Sequence, residues 1–373
     1  MAVWTFTHGP WTGLPTAGLP TITGRTATWR LVGNSEAAFT IDGTLPETAR
    51  IQELISDLWV LRNGVPYFRG RVGATSDNLD GTSHQVTFNA ADYRAVLRRR
   101  ILFDADTLTY PSQDIALTAW SLINQTQGKP GGSLGITRGV GQTAGSSQAP
   151  TFTAGSSVGD MVDQLGQGVP GFDWDINPTG TASTLSTGLT FDTYSPRGQD
   201  RQTVLDYGGR VASLTRNVDP GVFANALRVT GGSPPTGTAP APVAVTESGI
   251  ATDPAGRFEA QYGDTTVVTT AALQARASYQ LAAQQNVAPV YTVTLNPNTW
   301  SGKDDLWLGD PIILKVNSGR LAVVASLRVF EIKLTLDDAG DTEKVDVTLG
   351  AAPSDRRWLL RRFDARLTAL EKR

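Results

Sequence analysis

Few residues of this 373-residue sequence are of types that drive chemistry. There is no cysteine, which excludes thiolate nucleophiles, thiolate-held metals and disulfides. Two histidines, His8 and His84, are too few for an imidazole-held metal or a Ser-His-Asp triad to be expected, and both read as surface or turn residues. The acids are the better candidates. GFDWDINP places Asp173 and Asp175 two residues apart, on one face of a strand. Paired carboxylates on one face could act as a glycosidase acid and base. Catalytic carboxylates usually come from separate elements, so the plain expectation for this pair is a solvated face. Asp304 with Asp305, Asp310, and Asp337 with Asp338 offer oxygen ligands of the kind calcium takes. None follows the spacing of a calcium loop, and turns are expected instead. GKPGGSLG lacks the GK[ST] ending of a phosphate loop. No metal, cofactor or catalytic residue is therefore expected, and the chain does not read as an enzyme. Arg98, Arg99 and Arg100 close a short helix, where cations complement the carbonyl end. Contact with a neighbouring subunit is the lesser alternative for them.

The elements that would position these residues are mostly strands. There are 39 Gly and 21 Pro, with many Thr and Val, which suits short strands joined by turns. Hydrophobic residues make up 40% of a chain long enough for two or more cores. The net charge of −3 argues against a sequence-reading nucleic-acid protein, which is usually basic. No apolar run approaches the roughly 20 residues of a membrane helix. The opening AVWTFTHGPW has no basic segment followed by an apolar one, so no secretory signal is expected. A soluble protein made in a cytoplasm follows as the expectation.

The stretch 58–100 is the most informative. Asn63-Gly64 suits a two-residue type I′ turn. That turn sets Arg62 opposite Val65, Leu61 opposite Pro66, Val60 opposite Tyr67 and Trp59 opposite Phe68. Trp59, Leu61, Pro66, Phe68 and Val72 then share one face, and Tyr67, Arg69 and Arg71 the other. A third strand over 85–89 turns Val86 and Phe88 inward, and a helix begins near Ala90. Earlier, 26–32 and 37–42 alternate as strands, and 46–55 forms either a short helix or a loop crossing the sheet. Later, helices are expected at 112–125, 156–165 and 270–285. Strands are expected over GFDWDINP, 187–192, 210–216, 224–230, 291–295, within LWLGDPIILKV, and at 321–336 and 345–349. Residues 128–155, rich in Gly, Ser and Thr, read as a long surface loop or arm. GGSPPTGTAPAP reads as a solvated loop.

A Trp-hydrophobic strand, an NG turn, an aromatic-Arg-Gly-Arg strand and an N-A-x-D-Y-x-x-x-L-x-x-R helix follow one another over 58–100. This ordered set, continued by ANALRVTGG, YGD, LWLGDPIIL and RVFEIKLTL, resembles the minor tail proteins of long-tailed phages of actinobacteria. Those are similar to the baseplate hub, or tail-associated, proteins of tailed phages. The resemblance covers most of the chain and implies a mainly β fold with an α+β insertion. Its segments would be a first β-barrel-like hub domain at 1–100, an insertion at 101–215, a second β-barrel-like hub domain at 216–352 and a C-terminal helix at 353–373.

It also implies a structural virion protein at the tail tip, assembled in the host cytoplasm. Such hubs are homotrimers whose two lobes per chain present a pseudo-sixfold ring. That ring adapts the sixfold tail tube to threefold proteins below. Implied partners are a distal tail protein or tail-tube ring, the tape measure protein, and a central fibre or other tip protein. Genome DNA would pass through the channel without sequence recognition. The arm at 128–155 and the Pro-rich loop at 231–242 match no feature of that family.

In the C-terminal segment, Leu360, Phe363, Leu367 and Leu370 recur at spacings of three, four and three, an a/d seam about two heptads long. It reads either as a helix docked on its own domain or as a trimeric bundle or docking helix. Trp59, Phe68, Trp307 and the seam residues are the candidate subunit or partner contacts. The competing functional reading is a carbohydrate-binding or cell-wall-cleaving module, for which nine Trp would supply stacking surfaces.

Overall fold

A computed structural model describes all residues except 1, 17, 20, 104–106, 140–142, 145–146, 167–170, 182–183, 232–242, 265–269, 286–288, 338–341 and 352–373. Both the Pro-rich loop and the C-terminal seam (Leu360, Phe363, Leu367 and Leu370) lie outside the described residues, apart from Gly231 at the loop's start. The chain is mainly β, and its contacts divide it into two units. One comprises Met1–Leu214 with Thr292–Arg373, the other Thr215–Tyr291.

The first six strands are β1 (Trp4–Pro10), β2 (Ile22–Arg30), β3 (Glu36–Asp42), β4 (Ser56–Arg62), β5 (Val65–Asp80) and β6 (Ser83–Asp92). The 3-10 turn Thr48–Arg50 and irregular backbone fill the segment before β4, so the loop alternative holds there. Asn63 and Gly64 take φ of 50° and 80°, the left-handed pair that a type I′ turn requires. The hairpin register then departs from expectation. Leu61 pairs with Pro66, but Val60 pairs with Phe68 and Trp59 with Arg69, because a bulge at Tyr67 adds one residue to β5. Every residue of β4 is buried, so both of its faces are covered rather than one.

Helix α1 (Tyr93–Arg98) starts three residues later than its sequence suggests. Ala90 and Ala91 stay paired to β5, and Asp92 caps the helix by accepting from the Arg94 and Ala95 amides.

The insertion follows with β7 (Thr107–Thr109), β8 (Gln113–Asp114), α2 (Ile115–Gln127), β9 (Ile136–Arg138), β10 (Ser147–Gln148), β11 (Thr151–Thr153), α3 (Val158–Gly166), β12 (Asp173–Gly180) and β13 (Leu185–Tyr194). Its core joins Ile115, Ile123, Val162, Phe172 and Phe191. The Gly/Ser-rich arm is not a free loop. β9 adds to β13 in parallel, β10 pairs with β8 and β11 with β7. Leu134, Ile136, Ala144 and Phe152 of the arm are buried. The two ends of α2 hold it. Gln127 accepts from the Leu134 and Ile136 amides and donates to the Ile136 carbonyl, and the N-cap Asp114 accepts from the Ala144 amide.

Next come β14 (Val204–Asp206) and β15 (Val211–Asn217). The second unit holds β16 (Ala226–Gly231), β17 (Val243–Glu247), β18 (Glu259–Asp264) and α4 (Thr270–Gln285). Its sheet has β16 in the centre, and Leu273, Ala277 and Leu281 of α4 pack on Leu227, Val229 and Ala244. The chain ends in β19 (Val290–Leu295), β20 (Pro311–Ser318), β21 (Leu321–Leu336) and β22 (Glu343–Ala351). β2 and β21 pair antiparallel, Thr26 opposite Thr335 and Arg30 opposite Glu331, so strands from both ends of the chain form one 12-stranded sheet. The order β1-β4-β5-β6-β3-β2-β21-β22-β19-β15 carries β20 and β14 as a side branch.

Candidate functional site

Three clusters concentrate the charged and aromatic side chains of the first unit. In the first, Asp57 on β4 is fully buried and accepts from Arg69 at 2.7 Å, Arg71 at 2.9 Å and the Tyr93 hydroxyl at 2.6 Å. Arg69 also lies 4.5 Å from the Trp59 ring centre and donates to the carbonyls of Trp11 and Thr187. One guanidinium thereby ties the hairpin to the segment after β1 and to β13 of the insertion. Burial, with the Asp57 charge beside it, pushes the Tyr93 hydroxyl up to about 12.

The second cluster contains the paired acids. Asp173 and Asp175 are 7% and 8% exposed, so the expected solvated face does not exist. Arginines from distant segments cover it. Asp175 pairs with Arg197 at 2.7 Å and faces Arg94 at 3.7 Å. Asp173 takes the Arg197 amide at 2.9 Å and Arg328 of β21 at 2.6 Å. Arg94 reaches on to Asp92 and the Ser35 hydroxyl. Burial alone would raise the Asp175 carboxyl, but Arg94 and Arg197 overcome it and hold the group below the usual carboxylate range. An Asp175 carboxylate kept ionised is a poor proton donor, and the arginines that cover both acids occupy the face a substrate would need. Its physical effect is to fasten β12 to α1 and β21.

The third cluster is aromatic. Trp300 stacks on Trp307 with ring centres 6.3 Å apart and planes 3° apart, and on Trp4 at 6.0 Å; Trp29 and Tyr67 complete the group. The three buried indoles of this cluster each find an acceptor: Trp4 donates to Glu343, Trp29 to the Tyr67 carbonyl and Trp300 to the Leu306 carbonyl. Arg62 lies against Trp4 and Trp300 and donates to the Trp300 and Ser301 carbonyls. Lys303 is half-buried, and its ammonium sits 4.5 Å from the Tyr67 ring centre and 4.9 Å from that of Trp307. Burial of that ammonium, with Arg197 nearby, brings it down to about 8.

Of the expected contact residues, Trp59 and Phe68 are 0% and 3% exposed. Their side chains are spent on this chain's own interior, because both faces of β4 are covered, and they offer no surface to a partner. Trp307 is half-buried in the aromatic cluster. Trp4, Trp29, Trp59, Trp174 and Trp300 are all interior, which removes them as sugar-stacking platforms.

Asp305 and Asp310 are engaged by Arg210 and Arg201, and Asp310 also accepts from the Gln199 and Trp307 amides. Asp338 lies outside the described residues. His8 is buried rather than at the surface, and burial with the Arg50 charge lowers its pKa. His84 is half-buried and contacts Asp77 at 3.0 Å. Arg98 pairs with Asp163 of α3, as its helix-end position allows.

Among the described residues no three His, Asp or Glu side chains gather as metal ligands would. None of the helices among those residues is long and apolar enough to cross a membrane. A small cleft beside α2 and α3 is lined by Leu108, Leu122, Val158 and Met161, with only Gln125, Thr126 and Lys129 to orient a ligand.

Together these clusters fasten a long composite sheet to its insertion, and that architecture has solved counterparts. The tail protein from Neisseria meningitidis MC58 aligns over 93% of this chain and 96% of its own, with a TM-score of 0.63 and 13% identity. The 43 kDa tail protein of prophage MuSo2 from Shewanella oneidensis aligns over 93% and 98%, with a TM-score of 0.64 and 12% identity. This is the fold of phage tail proteins. Prophage tail protein gp18 from Listeria monocytogenes EGD-e aligns over 99% of this chain and 100% of its own, with a TM-score of 0.54 and 12% identity. No family model and no curated sequence matches the chain. The fold thus persists where sequence similarity has faded to 12–13%.

Proposed function

We propose that the chain is a structural, non-enzymatic hub at the tail tip of a long-tailed phage, three copies of which ring the DNA exit channel. Two strand-built lobes per chain, from 1–100 and from 216–352, present six roughly equivalent surfaces to the tail tube above and threefold ones to the proteins below. A distal tail protein or tail-tube ring, the tape measure protein and a central fibre are its partners, and DNA passes without base contacts. The C-terminal segment 353–373, through Leu360, Phe363, Leu367 and Leu370, joins the three copies or docks the next component.

The observation that carries this reading is the likeness to phage tail proteins over nearly the whole of both chains. The buried arginine–carboxylate clusters support it, since their charges are engaged in fastening segments of the chain to one another. Antibody labelling of intact phage particles by electron microscopy tests it. Label confined to the distal tip of the tail is expected, and label along the shaft or on the head would overturn it.

A further inference from the structure

Two long β-hairpins of the 12-stranded sheet carry opposite charge on their exposed positions; in the second, β20 is also paired by β14 and turns Ile312, Leu314 and Val316 inward. The first is the outer part of the β5–β6 hairpin, 74–85. Its ionisable residues are Asp77, Asp80 and His84, the last already facing Asp77 at 3.0 Å. Glu53, which accepts from Thr75 at 2.5 Å, and Asp42, at the end of β3, add to the acidic character of its base. The second is the β20–β21 hairpin. Residues 311–328 contain no Asp or Glu, and Lys315 and Arg320 are exposed. Neither of these two cations has an ion pair among the described residues. Each ribbon also turns one large apolar side chain almost fully outward: Leu79 and Val324 are both 78% exposed, more than any other large hydrophobic among the described residues.

The pairings place these ribbons at opposite ends of the strands. The β5–β6 tip lies beyond Asp42, which meets Gln85, and Ile22 of β2 meets Ile41 at that same end. Along β2 from Ile22 to Arg30 the chain moves away from that tip. β21 runs beside it from Thr335 to Glu331 and continues in the same direction towards Leu321. A single copy therefore presents an acidic ribbon at one end and a basic one at the other. Complementary unlike surfaces on one molecule make a head-to-tail contact, which closes into a ring when the rotation allows.

We propose that the β5–β6 ribbon of one copy lies against the β20–β21 ribbon of the next copy, with Asp77 and Asp80 facing Lys315 and Arg320 and with Leu79 and Val324 covered in the contact. This rests on the trimeric reading above and names the surfaces that would make it. Opposite potentials speed encounter and suppress like-to-like pairing.

Because the chain has no cysteine, a cross-link can be placed cleanly. In the full chain carrying Leu79→Cys and Val324→Cys, oxidation is expected to give dimers and trimers on a denaturing gel, and neither single variant a ladder. Asp77→Lys with Asp80→Lys, or Lys315→Glu with Arg320→Glu, should weaken assembly at least tenfold in sedimentation velocity. All four reversals in one chain should restore it, with circular dichroism verifying the fold of each variant. If a charge-reversed chain does not fold, the salt dependence of wild-type assembly decides. Weakening between 0.05 and 1 M NaCl supports the contact, as screening shortens to about 3 Å at 1 M, and salt-indifferent assembly overturns it. A wild-type trimer, with no disulfide ladder from the double-cysteine variant and no response to charge reversal, would overturn this contact and leave the hub reading intact. A wild type that stays monomeric at every concentration would instead remove the hub reading, and this contact with it.

Discussion

Replacing Asp175 by Asn would leave Arg197 buried without its carboxylate partner and would take one of two carboxylates from Arg94, which keeps Asp92. Losing one partner of a buried ion pair typically costs about 3–5 kcal/mol, so D175N should lower the urea midpoint of unfolding by that equivalent. Arg257→Ala, which breaks pairs with exposed Glu247 and Glu259, should change it little. The pH dependence has a definite sign. The folded Asp175 carboxyl lies below its ordinary value of 3.8. Its stabilisation is therefore complete above that value and is lost as pH falls through the lowered folded one. Unfolding midpoints measured from pH 6 down to pH 3 should fall more steeply for the wild type than for D175N. Nothing local in GFDWDINP distinguishes this buried pair from a solvated one. Alternation places the two carboxylates on one face, but the arginines that cover that face come from α1, the segment after β13 and β21. Arg328 is 155 residues away from Asp173.

Elements built from local signals are readable in the sequence. The Asn63-Gly64 turn needs only two residues that tolerate positive φ, α2 and α3 follow from apolar spacing, and α4 follows from a run of strong helix formers. What escaped is what a neighbour decides. The bulge at Tyr67 is a register choice made against β4. The arm at 128–155 has too little apolar content to order itself, yet its two- and three-residue strands lie on β8, β7 and β13 and its carbonyls and amides meet Gln127 and Asp114. Gln127→Ala should therefore release the 134–136 segment. Expected are a loss of about 1–3 kcal/mol in stability, from unsatisfied buried backbone groups, and faster hydrogen exchange at the Leu134 and Ile136 amides. Unchanged exchange at those two amides would mean that the strand pairing alone holds the arm.

For the whole molecule, the strand-rich style of both ends of the chain is visible in alternation alone, but not that they share one sheet. The β2–β21 pairing joins residues some 300 positions apart, and only the folded chain reveals it. The same limit misplaced Trp59 and Phe68 as contacts: in a sequence, an aromatic on a strand does not declare which covering element it meets. The features turned outward are the ribbon tips and the edges of the sheet. In the proposed trimer, they are the surfaces on which the ring of copies would depend.

Averaged electron-microscopy images of the purified full-length chain, viewed down the assembly axis, test the hub account most directly. Three copies forming a six-lobed ring around an open channel are the predicted result. Monomers alone, or closed assemblies of another order with no channel, would contradict it.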